Sequence, residues 1–126
     1  MYLRPSTHSE ISDLIKALVP SRACGPNSFP TNLMKLPRNI LFDPLSFIIK
    51  KSFEYGTFPS SMKIAQVIPL FKAGTQDSCG NYRPISLLSN TSKVYERAMY
   101  NRLEQYLEKM QSVSPSQFGF RKKHST

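Results

Sequence analysis

The sequence predicts an α+β fold: helices packed with a small antiparallel hairpin. Three observations carry this reading. Apolar residues recur at spacings of three and four in separate stretches. Strand-forming residues concentrate in one short segment, Ile64 to Phe71. A polar, glycine-bearing loop separates that segment from a second run that can return beside it.

The first helix is expected over Ser9 to Val19, with Ile11, Leu14, Ile15 and Leu18 on one face, Ser9 as N-cap and Pro20 as the stop. Ser21 to Pro30 is a turn-dense loop. A short helix follows at Thr31 to Leu36, closed by Pro37. Asp43 and Pro44 suit the cap and first position of the next helix. Its predicted inner face is Leu45, Ile48, Ile49 and Ser52, with Phe47 and Phe53 beside it. Gly56 stands where a left-handed C-cap residue belongs. Residues 64–87 then read as a hairpin; Pro69 argues for an edge strand or bulge, and Pro84 interrupts the returning strand. Asn90 to Met110 carries the clearest helical pattern, a stripe of Tyr95, Met99, Leu103, Tyr106 and Met110 widened by Val94, Ala98 and Leu107. Together these elements predict one layer of helices on a small sheet.

The length of 126 residues suits a single domain with one modest core. Seventeen Lys and Arg against eight Asp and Glu leave a net charge of +9, which favours a polyanionic partner such as nucleic acid or nucleotide. Cys24 and Cys79 are too few for a disulfide framework or a four-ligand zinc site, and fit free thiols in a reducing, intracellular compartment, nucleus or cytoplasm. Met1 to Ser9 has no apolar core of a signal peptide, and no apolar run is long enough for a membrane span. His8 and His124 each sit in polar company and read as solvated rather than catalytic.

The candidate chemistry lies at Lys72 and Arg83. They flank the polar loop, so a hairpin brings them together at its base. Lysine supplies a mobile charge, arginine a planar fork for phosphate oxygens, and a glycine-bearing loop adds backbone donors. Spacing alone leaves two readings open, a triphosphate clamp and a pair of solvated charges, and favours the second.

Further residues change that balance. Val67-Ile-Pro-Leu-Phe-Lys72, Asn81-Tyr-Arg-Pro-Ile-Ser-Leu-Leu-Ser89 and Lys93-Val-Tyr-Glu96 resemble the fingers region of reverse transcriptases from non-LTR, LINE-like retrotransposons. Ala23-Cys-Gly-Pro-Asn-Ser-Phe-Pro30 resembles the family's Gly-Pro-Asp-Gly-Ile-Pro loop, Tyr55-Gly-Thr-Phe-Pro59 its next landmark, and Ser114-Pro-Ser-Gln-Phe-Gly-Phe-Arg121 the block leading into the palm. These run in order over residues 10–126. The resemblance implies that Lys72 and Arg83 contact the triphosphate of an incoming deoxynucleotide and that Asn81 and Tyr82 shape the pocket. It implies that Gln117, Gly119 and Arg121 lie near the template strand, RNA or DNA. Lys122 and Lys123 extend that basic end, and Phe118 and Phe120 read equally well as core residues.

Two departures stand out. Asn27 and Ser28 replace the family's Asp and Gly. The family's palm carboxylates, which hold the two magnesium ions of the complete enzyme, have no counterpart: Asp13, Asp43 and Asp77 are dispersed, so no cofactor is expected in this chain. The chain is therefore expected to be a truncated fingers portion reaching the palm border, inactive without palm and thumb. A non-catalytic nucleic-acid-binding module and a non-functional remnant with an exposed docking face remain as alternatives.

Overall fold

The computed structural model describes residues 4–20, 25–26, 28–36, 41–112, 114, 117 and 119. Along the chain come α1 (His8–Lys16), α2 (Thr31–Met34), α3 (Phe42–Tyr55), a 3₁₀ turn (Ser60–Lys63), β1 (Gln66–Phe71), β2 (Tyr82–Leu87) and α4 (Asn90–Lys109). The mixture of helices with a two-stranded antiparallel sheet is α+β, as expected.

Helix α1 starts two residues earlier in its capping than expected. Thr7, not Ser9, is the N-cap, and its Oγ1 accepts from the Glu10 backbone N–H at 3.2 Å. Thr7-His-Ser-Glu10 has the capping-box spacing, a local signal stronger than a lone serine. The helix also ends at Lys16, short of Val19 and Pro20. Ile11 and Ile15 are fully buried, with Leu14 and Leu18 partly buried against the core.

Helix α3 begins at Phe42 with Leu41 as its cap, so Asp43 and Pro44 occupy the second and third positions rather than cap and first. This placement costs nothing, because the N–H that proline lacks is one of the helix's unsatisfied donors anyway. Leu45, Ile49, Ser52 and Phe53 face inward, whereas Phe47 and Ile48 are exposed, which corrects the predicted face. Gly56 ends the helix at φ +64° as expected. Beyond it, the Ser52 hydroxyl donates to the Thr57 carbonyl and receives the Tyr95 hydroxyl at 2.7 Å, tying this corner to α4.

The core is built from helices and the 3₁₀ turn. Ile11, Ile15, Met34, Leu45, Ile49, Phe53, Met62, Val94, Tyr95 and Ala98 form one cluster, and no strand residue belongs to it. Phe53 and Phe58 both meet the Tyr95 ring edge-on, at 5.4 and 4.4 Å between centroids. The predicted layer of helices on a sheet is therefore not formed. Every residue of β1 is exposed, and Ile68, Leu70 and Ile85 keep 40%, 55% and 39% of their surface in solvent.

Helix α4 buries only part of its predicted stripe. Val94, Tyr95, Ala98 and Arg102 point inward. Met99, Leu103, Tyr106 and Met110 stay 37–56% exposed. Glu10 of α1 reaches α4 as far as Arg102, whose guanidinium it holds with both carboxylate oxygens.

Candidate nucleotide-binding hairpin

The hairpin register pairs Gln66 with Leu87, Ile68 with Ile85, Pro69 with Pro84, Leu70 with Arg83 and Phe71 with Tyr82. The Lys72 N–H donates to the Asn81 carbonyl at 2.8 Å, so the ladder runs one step beyond the strands. Side chains alternate across a strand, which places Leu70, Lys72 and Arg83 on one face. Lys72 and Arg83 are diagonal neighbours there, positions roughly 7–8 Å apart in such ladders. Both are exposed, and neither forms an ion pair among the described residues. The pairing thus assembles two unneutralised cations at the loop end, the arrangement the spacing anticipated. Pro84 does not interrupt its strand, and Pro69 forms no bulge in this register.

The polar atoms of Asn81 and Tyr82 turn onto the loop. Asn81 Nδ2 donates to the Thr75 carbonyl at 2.7 Å, and the Tyr82 hydroxyl donates to the Gln76 carbonyl at 3.0 Å. Gly74 turns at φ +94°, and a Cβ there would lie 2.7 Å from the Asn81 amide nitrogen. The Tyr82 ring meets Phe71 edge-on at 5.5 Å.

Gln117 and Gly119 are joined by a long contact, Gln117 Nε2 donating to the Gly119 carbonyl at 3.4 Å, and Gln117 is exposed. Arg121, Lys122 and Lys123, with Phe118, Phe120, His124 and Cys24, lie outside the described residues.

Two arrangements that sequence reasoning missed tie distant segments together, one at the hairpin's base and one between α4 and α1. The first centres on Asn90, which is 1% exposed. Its backbone N–H donates to Ser28 Oγ at 2.9 Å, and its side-chain amide donates to the Phe29 carbonyl at 2.9 Å and to Thr31 Oγ1 at 3.1 Å. Beside it the Gly25 N–H donates to the Leu88 carbonyl at 3.3 Å, and a Cβ on Gly25 would lie 2.4 Å from the Leu87 oxygen. The glycine–proline loop is thereby stitched to the junction of β2 and α4. The second is Arg102, which holds both Glu10 oxygens at 2.8 Å and donates to the carbonyls of Arg4 and Ala98 at 2.6 and 2.7 Å. Its hydrogen bond holds the Glu10 carboxyl below the usual range; partial burial opposes this, and the arginine charge adds to it.

Three further carboxylates pair with basic side chains at the surface: Asp43 with His8 at 3.1 Å, Asp13 with Lys16 at 3.9 Å and Glu54 with Lys51 at 2.8 Å. No three His, Cys, Asp or Glu gather at metal-binding distance among the described residues. No described helix is long and apolar enough to cross a membrane.

Against this geometry stand the relatives. Residues 70–126 match the family model for reverse transcriptase (RNA-dependent DNA polymerase). Over 98% of its length the chain is 36% identical to the "Probable RNA-directed DNA polymerase from transposon BS" of Drosophila melanogaster. It is 31% identical over 97% of its length to the RNA-directed DNA polymerase from mobile element jockey of Drosophila funebris. It is also 31% identical over 88% of its length to the Pol polyprotein of the type-1 retrotransposable element R1 of Bradysia coprophila. The chain belongs to the reverse transcriptases of non-LTR retrotransposons and carries part of their polymerase domain. It spans 11–14% of the length of these relatives.

Proposed function

We propose that the chain is the fingers portion of such a reverse transcriptase and supplies a triphosphate contact to RNA-directed DNA synthesis, with Lys72 and Arg83 as the contacting cations. One observation carries this reading: the two side chains share a face at the loop end of the hairpin, exposed and without ion-pair partners among the described residues. A phosphate chain is the ligand that two such cations and nearby backbone donors bind best. Gln117, Gly119 and the basic run Arg121 to Lys123 would face the template, and the remainder of the polymerase would supply the carboxylates and magnesium.

Titration of the chain with a deoxynucleoside triphosphate, a deoxynucleoside and inorganic tripolyphosphate tests the clamp. Both triphosphates should bind, and the nucleoside should not. Replacing Lys72 and Arg83 together by alanine should weaken triphosphate binding at least about tenfold, since each charge-assisted bond contributes roughly 1.5–3 kcal/mol. Unchanged affinity in the double variant overturns the reading.

The net charge of +9 favours a second reading, a nucleic-acid-binding surface without nucleotide selectivity. Binding of single-stranded RNA that falls steeply with salt and ignores base sequence supports it. Absence of binding at low salt removes it.

A further inference from the structure

We infer that Asn81 and Tyr82 are positioning residues of the hairpin, holding the 73–80 loop in the shape that the triphosphate meets. The inference rests on the proposed clamp at Lys72 and Arg83. An eight-residue loop with two glycines has many closed conformations, and selecting one of them costs entropy before any ligand binds. Here two side chains from the start of the return strand make that selection. Asn81 Nδ2 takes the Thr75 carbonyl, and the Tyr82 hydroxyl takes the next carbonyl, that of Gln76. The 3₁₀ turn Cys79–Asn81 closes the other arm, the Asn81 N–H donating to the Ser78 carbonyl at 3.0 Å.

The two carbonyls set the direction of the loop's donors. In a trans peptide the N–H points opposite to the C=O. With the Thr75 and Gln76 carbonyls turned onto Asn81 and Tyr82, the N–H groups of Gln76 and Asp77 point away from those side chains, outward from the loop. Successive backbone donors in this sense suit a phosphate oxygen. Asp77, the one acidic residue in the hairpin sequence 64–87, sits among them and disfavours an anion that approaches off-axis. The orientation of the loop therefore decides whether the ligand meets donors or a carboxylate. Gly74 permits the fold-back: at φ +94° it adopts a conformation that side chains resist, and any Cβ would meet the Asn81 amide.

The test compares Tyr82→Phe and Asn81→Ala with the Lys72/Arg83 double alanine variant in the full chain. Two measurements are made: affinity for inorganic tripolyphosphate, and amide hydrogen exchange of residues 73–80 in the free protein. Both positions lie on the exposed hairpin outside the helical core, so the global unfolding midpoint should hold. Each variant should speed exchange in the loop and weaken tripolyphosphate binding roughly three- to tenfold, the effect of one lost hydrogen bond. Tyr82→Phe keeps the ring against Phe71 and removes the hydroxyl alone, which separates loop holding from packing. Weaker binding with unchanged exchange identifies a direct ligand contact and overturns the inference. Faster exchange with unchanged binding also overturns it, since the loop shape then does not matter to the ligand. Binding that ignores the double alanine variant overturns the clamp itself, an outcome distinct from the other two.

Discussion

Pro69 and Pro84 stand directly opposite each other in the hairpin. The Lys72–Asn81 pair is hydrogen-bonded, and antiparallel pairs alternate, so Pro69–Pro84 falls on a non-hydrogen-bonded step. The nitrogen of each proline then points away from its partner strand, where no ladder bond is lost. The same geometry removes one outward donor from each free edge of the sheet, which disfavours a third strand pairing there.

Replacing both prolines by valine should leave the hairpin paired and restore an outward N–H on each edge. The double variant should self-associate more strongly than the parent at equal concentration. Light scattering across a concentration series checks this; equal scattering would show that the prolines do not guard the edges.

Arg102 and Glu10 join α4 to α1 through two hydrogen bonds of 2.8 Å. The guanidinium also lies over the Phe53 ring, 4.8 Å from its centroid. Arg102→Ala should cost about 2–4 kcal/mol of folding stability, because it strands a partly buried carboxylate and two carbonyls. Arg102→Lys should recover less than half, since an ammonium cannot grip both oxygens in plane. Urea denaturation of the three proteins measures the difference.

The pH dependence follows from the same pair. Glu10 has its folded-state pKa below the ordinary 4.5, with the Arg102 hydrogen bond as the first cause. A depressed carboxylate pKa stabilises the fold above the unfolded value and loses that contribution as pH falls through the folded value. The stability gap between the parent and Glu10→Gln should therefore be constant above about pH 5 and shrink below 4.5. Thermal melts at pH 3 to 7 test this.

Gly25→Ala should destabilise the fold by about 1–3 kcal/mol, the usual cost of overpacking, because the new methyl meets backbone at the end of β2 rather than a movable side chain. Asn90→Ala should cost a similar amount, by leaving the Phe29 carbonyl without the amide that it accepts from. In both variants the change should appear as a lower denaturation midpoint, with the slope unaltered.

The hairpin, its placing of Lys72 and Arg83 on one face beside the loop, the Gly56 cap and the long α4 were legible in the sequence, because each depends on neighbours within a few residues or on one turn. The family was legible too, in ordered short motifs. Helix starts were less so: Ser9 and Asp43 are sound cap residues, yet Thr7 and Leu41 took the caps. Periodicity states that α4 has an apolar stripe. Which part of its circumference is buried depends on where α1 and α3 reach it, and they reach Val94, Tyr95 and Ala98 rather than Met99, Leu103 and Tyr106. Nothing local to Arg102 marks it as buried; Glu10 meets it across 92 positions. The position of the hairpin outside the helical core was likewise decided only in three dimensions. Local chemistry determined that Lys72 and Arg83 could meet. Long-range packing around Asn90 decided what the hairpin stands on, and Arg102 decided how α4 meets α1, because those contacts join segments whose spacing along the chain carries no period.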